Sequence, residues 1–113
     1  MYAVLSRFLG KADGISGAKE IYFVNKNRDG SHFAYIVNND SFISGDNITG
    51  SYFKSIISSS GTRTVTAVKA CTVCKLDING TNDNSIASYS AGTTIASGIG
   101  SSVLGINALF VAY

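Results

Sequence analysis

Two cysteines three residues apart, Cys71-Thr-Val-Cys74, have the spacing in this chain that most invites a chemical reading. A redox C-x-x-C pair needs its leading thiol at a helix N-terminus, where the dipole stabilises the thiolate. Here both thiols lie inside Thr62 to Ile78, a run that alternates like a strand. On a strand, residues i and i+3 point to opposite faces, and their Cα atoms stand about 10 Å apart at ~3.3 Å per residue. A disulfide needs less than about 7 Å. The spacing therefore predicts two reduced thiols, Cys74 in the core and Cys71 partly covered. Zinc fares no better, because two thiolates and the single histidine, His32, make at most three ligands.

Two loops carry oxygen ligands. Asn25-Lys-Asn-Arg-Asp-Gly30 resembles the opening of an EF-hand loop, but its twelfth place is Ile36 rather than Glu and two cations intrude. It reads as a hairpin turn. Asp77-Ile-Asn-Gly-Thr-Asn-Asp83 holds two carboxylates and two amides, with the glycine misplaced and no bidentate Glu after it. Asn47-Ile-Thr49 and Asn79-Gly-Thr81 match the glycosylation pattern, which matters only on an exported eukaryotic chain. Seven carboxylates and one histidine offer few general bases, and no serine lies in a nucleophile elbow. We therefore expect no catalytic residue, no metal, no cofactor and no small-molecule ligand.

The elements that would position these residues read as strands. Tyr2 to Leu9 alternates; Gly10 to Gly17 is a loop. Lys19 to Asn25 and His32 to Asn38 are aromatic and β-branched runs about a turn whose Asp29-Gly30 pair suits positive φ, which predicts a hairpin. Ser41 to Ser44 is a short strand between turns at Asn38–Asp40 and Gly45–Asn47. Ser51 to Ser58 fits a strand or one helical turn, and Ser58-Ser-Ser-Gly61 breaks the chain. From Thr62 to Ile78 every charge (Arg63, Lys69, Lys75, Asp77) falls on odd positions, which predicts a half-exposed antiparallel strand. Its reach of roughly 56 Å at about 3.3 Å per residue calls for a bulge or bend partway. Asn79 to Asn84 is a turn cluster and Ser85 to Ala96 is extended. Short strands punctuated by Gly, Asn and Asp predict one all-β domain over 1–113, an antiparallel β-sandwich or barrel, a jelly-roll-like arrangement among the options, with little or no helix.

The last thirty residues contain no charged side chain. As a strand, the tail points Val103, Asn107, Leu109, Val111 and Tyr113 to one side, and Leu104, Ile106, Ala108, Phe110 and Ala112 to the other. Both faces are apolar and both need covering. Such a strand is either central in its own domain or lent to a neighbour. We expect part of the cover to come from another subunit, through Val103, Leu104, Ile106, Leu109, Phe110, Val111 and Tyr113. The final apolar run is too short for a membrane helix, and Ser, Thr and Asn interrupt what precedes it, so no membrane insertion is expected.

Only 14% of residues are charged, well below the ~25% usual for soluble domains, which weakens colloidal repulsion and favours self-association. Net charge is +2 with the cations scattered singly, so no nucleic-acid partner is expected. The opening Met1 to Gly10 lacks a basic n-region and its apolar run is broken by Ser6 and Arg7, which predicts a chain used without signal-peptide export. In size, β content and lack of charged tails the chain resembles, in type only, the small coat, decoration or tail subunits of bacterial viruses. That likeness implies a non-enzymatic structural subunit of a virion, assembled in the host cytoplasm, with copies of itself or other structural proteins as partners. The alternative expectation is an extracellular or cell-surface adhesin or carbohydrate-binding module. Adjacent aromatics support it: in Tyr22-Phe23 and Tyr52-Phe53 one ring of each pair would be core and the other free for a partner or a sugar.

Overall fold

A computed structural model of the chain describes residues 17–26, 32–38, 42–76, 82–98 and 107–113. The strand at Tyr2–Leu9, the Asp29-Gly30 turn and residues 77–81 of the Asp77–Asp83 loop expected from sequence lie outside these residues, while Asn82–Asn84, expected in a turn cluster, belong to a strand. Among the described residues there are ten strands and no helix: β1 (Glu20–Lys26), β2 (His32–Val37), β3 (Phe42–Gly45), β4 (Ile48–Thr49), β5 (Phe53–Ile57), β6 (Arg63–Ala67), β7 (Cys71–Leu76), β8 (Asn82–Tyr89), β9 (Thr94–Gly98) and β10 (Asn107–Ala112). They form two antiparallel sheets, a six-stranded one in the order β3-β2-β1-β10-β7-β8 and a four-stranded one in the order β4-β5-β6-β9. The molecule is thus a β-sandwich. The connections β1–β2–β3 and β4–β5–β6 each stay within one sheet, so meanders rather than jelly-roll crossovers build most of it.

The tail strand lies at the centre of the larger sheet. β10 pairs with β1 (Tyr22↔Phe110, Phe23↔Leu109) and with β7 (Val111↔Cys74). Lys19 N–H to Ala112 O (2.8 Å) and Tyr113 N–H to Thr72 O (2.9 Å) prolong the two ladders. Its even positions, Phe110 and Ala112, join Tyr22, Val24, Ala34, Ile36, Phe53 and Val65 between the sheets. Its odd positions, Leu109 and Val111, pack with Ile21, Phe23, Tyr35 and Cys74 on the other face of the same sheet. An unbroken apolar run is what a strand needs when both its faces are dry. Each of Leu109, Phe110 and Val111 should contribute roughly 1.5–3 kcal/mol by its burial.

The run from Thr62 to Ile78 is not one strand. It divides at Val68-Lys-Ala70, where the chain leaves the smaller sheet and enters the larger. The bend expected partway is there, but the exposed face expected from the charges is reversed. In β6 the odd positions Arg63, Val65 and Ala67 are buried, while Thr64 and Thr66 are only partly covered. In β7, Val73 faces the interior, and the half-buried Lys75 lays its ammonium 5.6 Å from the Phe110 ring. A lysine can bury its stem against an aromatic while its head stays near water. Arg63 is fully buried, and hydrogen bonds rather than solvent receive part of its guanidinium.

Candidate functional site

The only glutamate in the chain is structural. Glu20 opens β1, is 1% exposed, and reaches from the larger sheet to the entry of β5 in the smaller one. Its Oε1 accepts the N–H groups of Tyr52 (2.7 Å) and Phe53 (2.9 Å). Its Oε2 accepts Ser51 N–H (2.8 Å) and Asn38 Nδ2 (3.1 Å). Three successive amides on one carboxylate form a nest that holds the bend before β5. Gly50 completes it, because a Cβ there would fall 2.6 Å from Oε1.

A second buried cluster ties the sheets nearby. Tyr22 hydroxyl and Ser55 Oγ share a hydrogen bond of 3.1 Å, and Arg63 Nη1 donates to Ser55 Oγ (2.7 Å) and Asp46 O (2.8 Å). Among the described residues, Arg63 Nε and Nη2 have no acceptor. Burial pushes the Tyr22 phenol up, against the pull of Ser55 and Arg63 toward lower values. The charge pattern of Thr62 to Ile78 places Arg63 on the solvent side, whereas the structure buries it. The only signal available was that a lone charge within an apolar strand must be paired or hydrogen-bonded if it is buried.

Cys71 and Cys74 are free thiols on opposite faces of β7, Cys74 buried and Cys71 half-buried, as the strand spacing requires. Burial, then the Glu20 charge, pushes the Cys71 thiol up. Cys71 lines an open groove of about 470 Å³ with Ala70, Thr72, Ser88, Tyr89, Ser90 and Tyr113. Burial, with a smaller push from Cys74, also raises the Tyr113 phenol. Among the described residues no group of three or more His, Cys, Asp or Glu is placed to hold a metal.

Of the seven residues expected at a subunit interface, Val103, Leu104 and Ile106 lie outside the described residues. Leu109, Phe110 and Val111 keep at most 1% of their surface within the single chain, so a partner finds nothing of them to touch. Tyr113, 37% exposed, does present surface. The adjacent aromatics behave likewise: Tyr22 and Phe23 are both buried, and Tyr52 is held under Lys69, whose ammonium is 4.7 Å from the ring centroid.

Surface open to a partner lies at the sheet edges. β4 has two residues, β3 four, and β9 five beside a register shift at Val65/Thr66. Short length and bulges are how natural sheets blunt their edges. β8 is eight residues long. Asp83 and Asn84 are extra residues in its ladder with β7, between Ser85↔Lys75 and Asn82↔Leu76, and this bulge guards its first half. From Ser85 to Tyr89 it pairs regularly with β7 and carries no charge, proline or glycine. Two faces are open there, since Ile86 and Ser88 on one and Ala87 on the other are all exposed.

The described strands define an antiparallel β-sandwich in which β8 is the outermost described strand of the larger sheet. Comparison with protein-family models, with curated proteins and with solved structures finds no match for the chain.

Proposed function

We propose that this chain is a non-enzymatic structural subunit that self-associates or decorates a larger assembly, with a virion component (a bacteriophage coat, decoration or tail protein) as its setting. The observation that carries the reading is the Ser85–Tyr89 half of β8, uncharged, regular against β7 and outermost among the described strands of its sheet, with Ile86 60% exposed. An edge left in this state is a template for another strand. The low charge of the whole chain removes the repulsion that would keep copies apart. The partners are then copies of this chain or other structural proteins of the assembly. Sedimentation velocity across the micromolar range tests it: the weight-average coefficient rises with concentration, whereas a concentration-independent monomer contradicts the reading.

The groove beside Cys71 favours a second reading, a carbohydrate-binding module. Two tyrosines, Tyr89 and Tyr113, and the hydroxyls of Thr72, Ser88 and Ser90 line it, and rings with hydroxyl donors are what a sugar needs. On this reading a glycan screen yields ligands whose binding is lost in Tyr89→Ala and Tyr113→Ala.

A further inference from the structure

Three residues that line the groove beside Cys71 stand in one row on the outer face of the larger sheet. Thr72 and Ser88 are direct partners across β7 and β8, and on the other side of β7 Tyr113 donates its N–H to Thr72 O at 2.9 Å. Each lies two residues from a member of the neighbouring row, Val111–Cys74–Ile86, so all three share that row's face. Cys71 and Tyr89, the next pair along, pack against the core between the sheets and border the groove at its end. The floor is polar: Thr72 Oγ1 and Ser88 Oγ share a hydrogen bond of 3.2 Å at the surface. A hydroxyl carries one donor and two acceptor sites, so that bond leaves the pair able both to donate and to accept. One wall is aromatic. Tyr113 is 37% exposed, and its ring runs along Gly17, where a Cβ would stand 3.9 Å from Cδ1.

We propose that this row binds one neutral pyranose, its C–H face against the Tyr113 ring and two adjacent hydroxyls on the Thr72–Ser88 pair; this rests on the carbohydrate-binding reading above and names its ligand and contacts. Three features select that ligand. A sugar hydroxyl donates and accepts at once, as the Thr72–Ser88 pair does, whereas a group that only accepts uses half of what the pair offers. A pyranose is apolar on its C–H faces and polar at its rim, which matches an apolar ring standing beside a hydroxyl floor. Every residue that lines the groove is uncharged, and Ser90 adds a further hydroxyl, so an acidic sugar gains no ion pair from the lining. The size agrees: about 470 Å³ lies within the ~300–1,000 Å³ of small-molecule sites. The row crosses two strand spacings, roughly 10 Å, which seats one sugar ring. One aromatic wall and a few hydroxyls in an open groove set the affinity on the order of 1 mM.

Amide chemical shifts of the full chain, followed by nuclear magnetic resonance, test this. The probes are methyl glucoside, methyl galactoside and methyl mannoside, with glucuronate as the acidic arm. At least one neutral glycoside is expected to move the amides of Thr72, Ser88, Ser90 and Tyr113 saturably, and glucuronate to bind at least about tenfold more weakly. Thr72→Val keeps the branched shape, removes the hydroxyl and should weaken binding by about tenfold. Tyr113→Phe should retain binding and Tyr113→Ala should lose it, with the remaining amide shifts unmoved in each variant to show that the fold is kept. If glucuronate binds the groove as well as the neutral glycosides, if binding survives Thr72→Val or Tyr113→Ala undiminished, or if the shifts fall away from the groove, the proposed ligand and contacts are wrong while the carbohydrate reading stands. If no saccharide moves any amide, both fall.

Discussion

Glu20 is buried at the start of β1 and accepts three successive amides at the entry of β5, so its substitution should destabilise the fold. Glu20→Gln replaces one acceptor oxygen with a donor that faces donors. Hydrogen bonds to a charged group are worth about 1.5–3 kcal/mol each, so a loss on the order of 3 kcal/mol is expected in urea unfolding. Gly50→Ala should also destabilise, because its Cβ would displace the same carboxylate. If neither variant shifts the midpoint, the nest does not hold the sheets. The two thiols make a second residue-scale prediction: titration under non-reducing denaturation should count two per chain, and native Cys71 should alkylate more slowly at neutral pH than a free thiol. The raised Tyr22 and Cys71 groups set the alkaline limit. Each is bound to its proton more tightly when folded than unfolded. The stability it contributes is therefore complete below the ordinary tyrosine and cysteine range and is lost as pH rises through the folded values. Thermal midpoints should hold from neutral pH to about pH 9 and fall above it. A midpoint that climbs in that range would contradict the assignment.

At the scale of elements, β10 decides whether the larger sheet exists. It separates β1 from β7, so a chain ending at Asn107 loses the middle of the sheet and should not fold. Phe110→Asp and Val111→Asp bury a charge on opposite faces of one strand, and both should abolish the β-sheet circular dichroism; survival of either would show that its face is not dry. Much of this was legible in the sequence. The apolar tail implied a strand dry on both faces, the β1–β2 hairpin followed from its two aromatic runs, and the cysteine spacing separated the thiols. The inward face of β6 was not legible. Period-two alternation says which residues share a face but not which face is inside, and Arg63 on the odd face gave the wrong answer because its partners, Ser55 and Asp46, come from other segments. The division at Val68–Ala70 was hidden for a related reason. β6 and β7 keep the same parity inward on either side of the crossing, so the pattern runs on as though one strand continued. Nor does any local signal place β10 between β1 and β7, a pairing made across most of the chain. The edge at Ser85–Tyr89 was read only as extended, since its exposure follows from the sheet order.

At the scale of the whole molecule, one sheet is dry on both faces at its centre and reaches the surface at Phe42 and Ile86, while the smaller sheet presents threonine, serine, lysine and Ile56 outward. On the proposed reading, self-association would leave the cores untouched and proceed along an edge. Amide hydrogen exchange resolved by residue, recorded below and above the association concentration, tests this most directly. Edge amides that face water exchange freely, and those that enter a ladder are protected. The account predicts that protection in Ser85–Tyr89 rises with concentration while β3, β4 and β9 do not change. Exchange in Ser85–Tyr89 that stays the same at every concentration, in a protein that nonetheless associates, would contradict it.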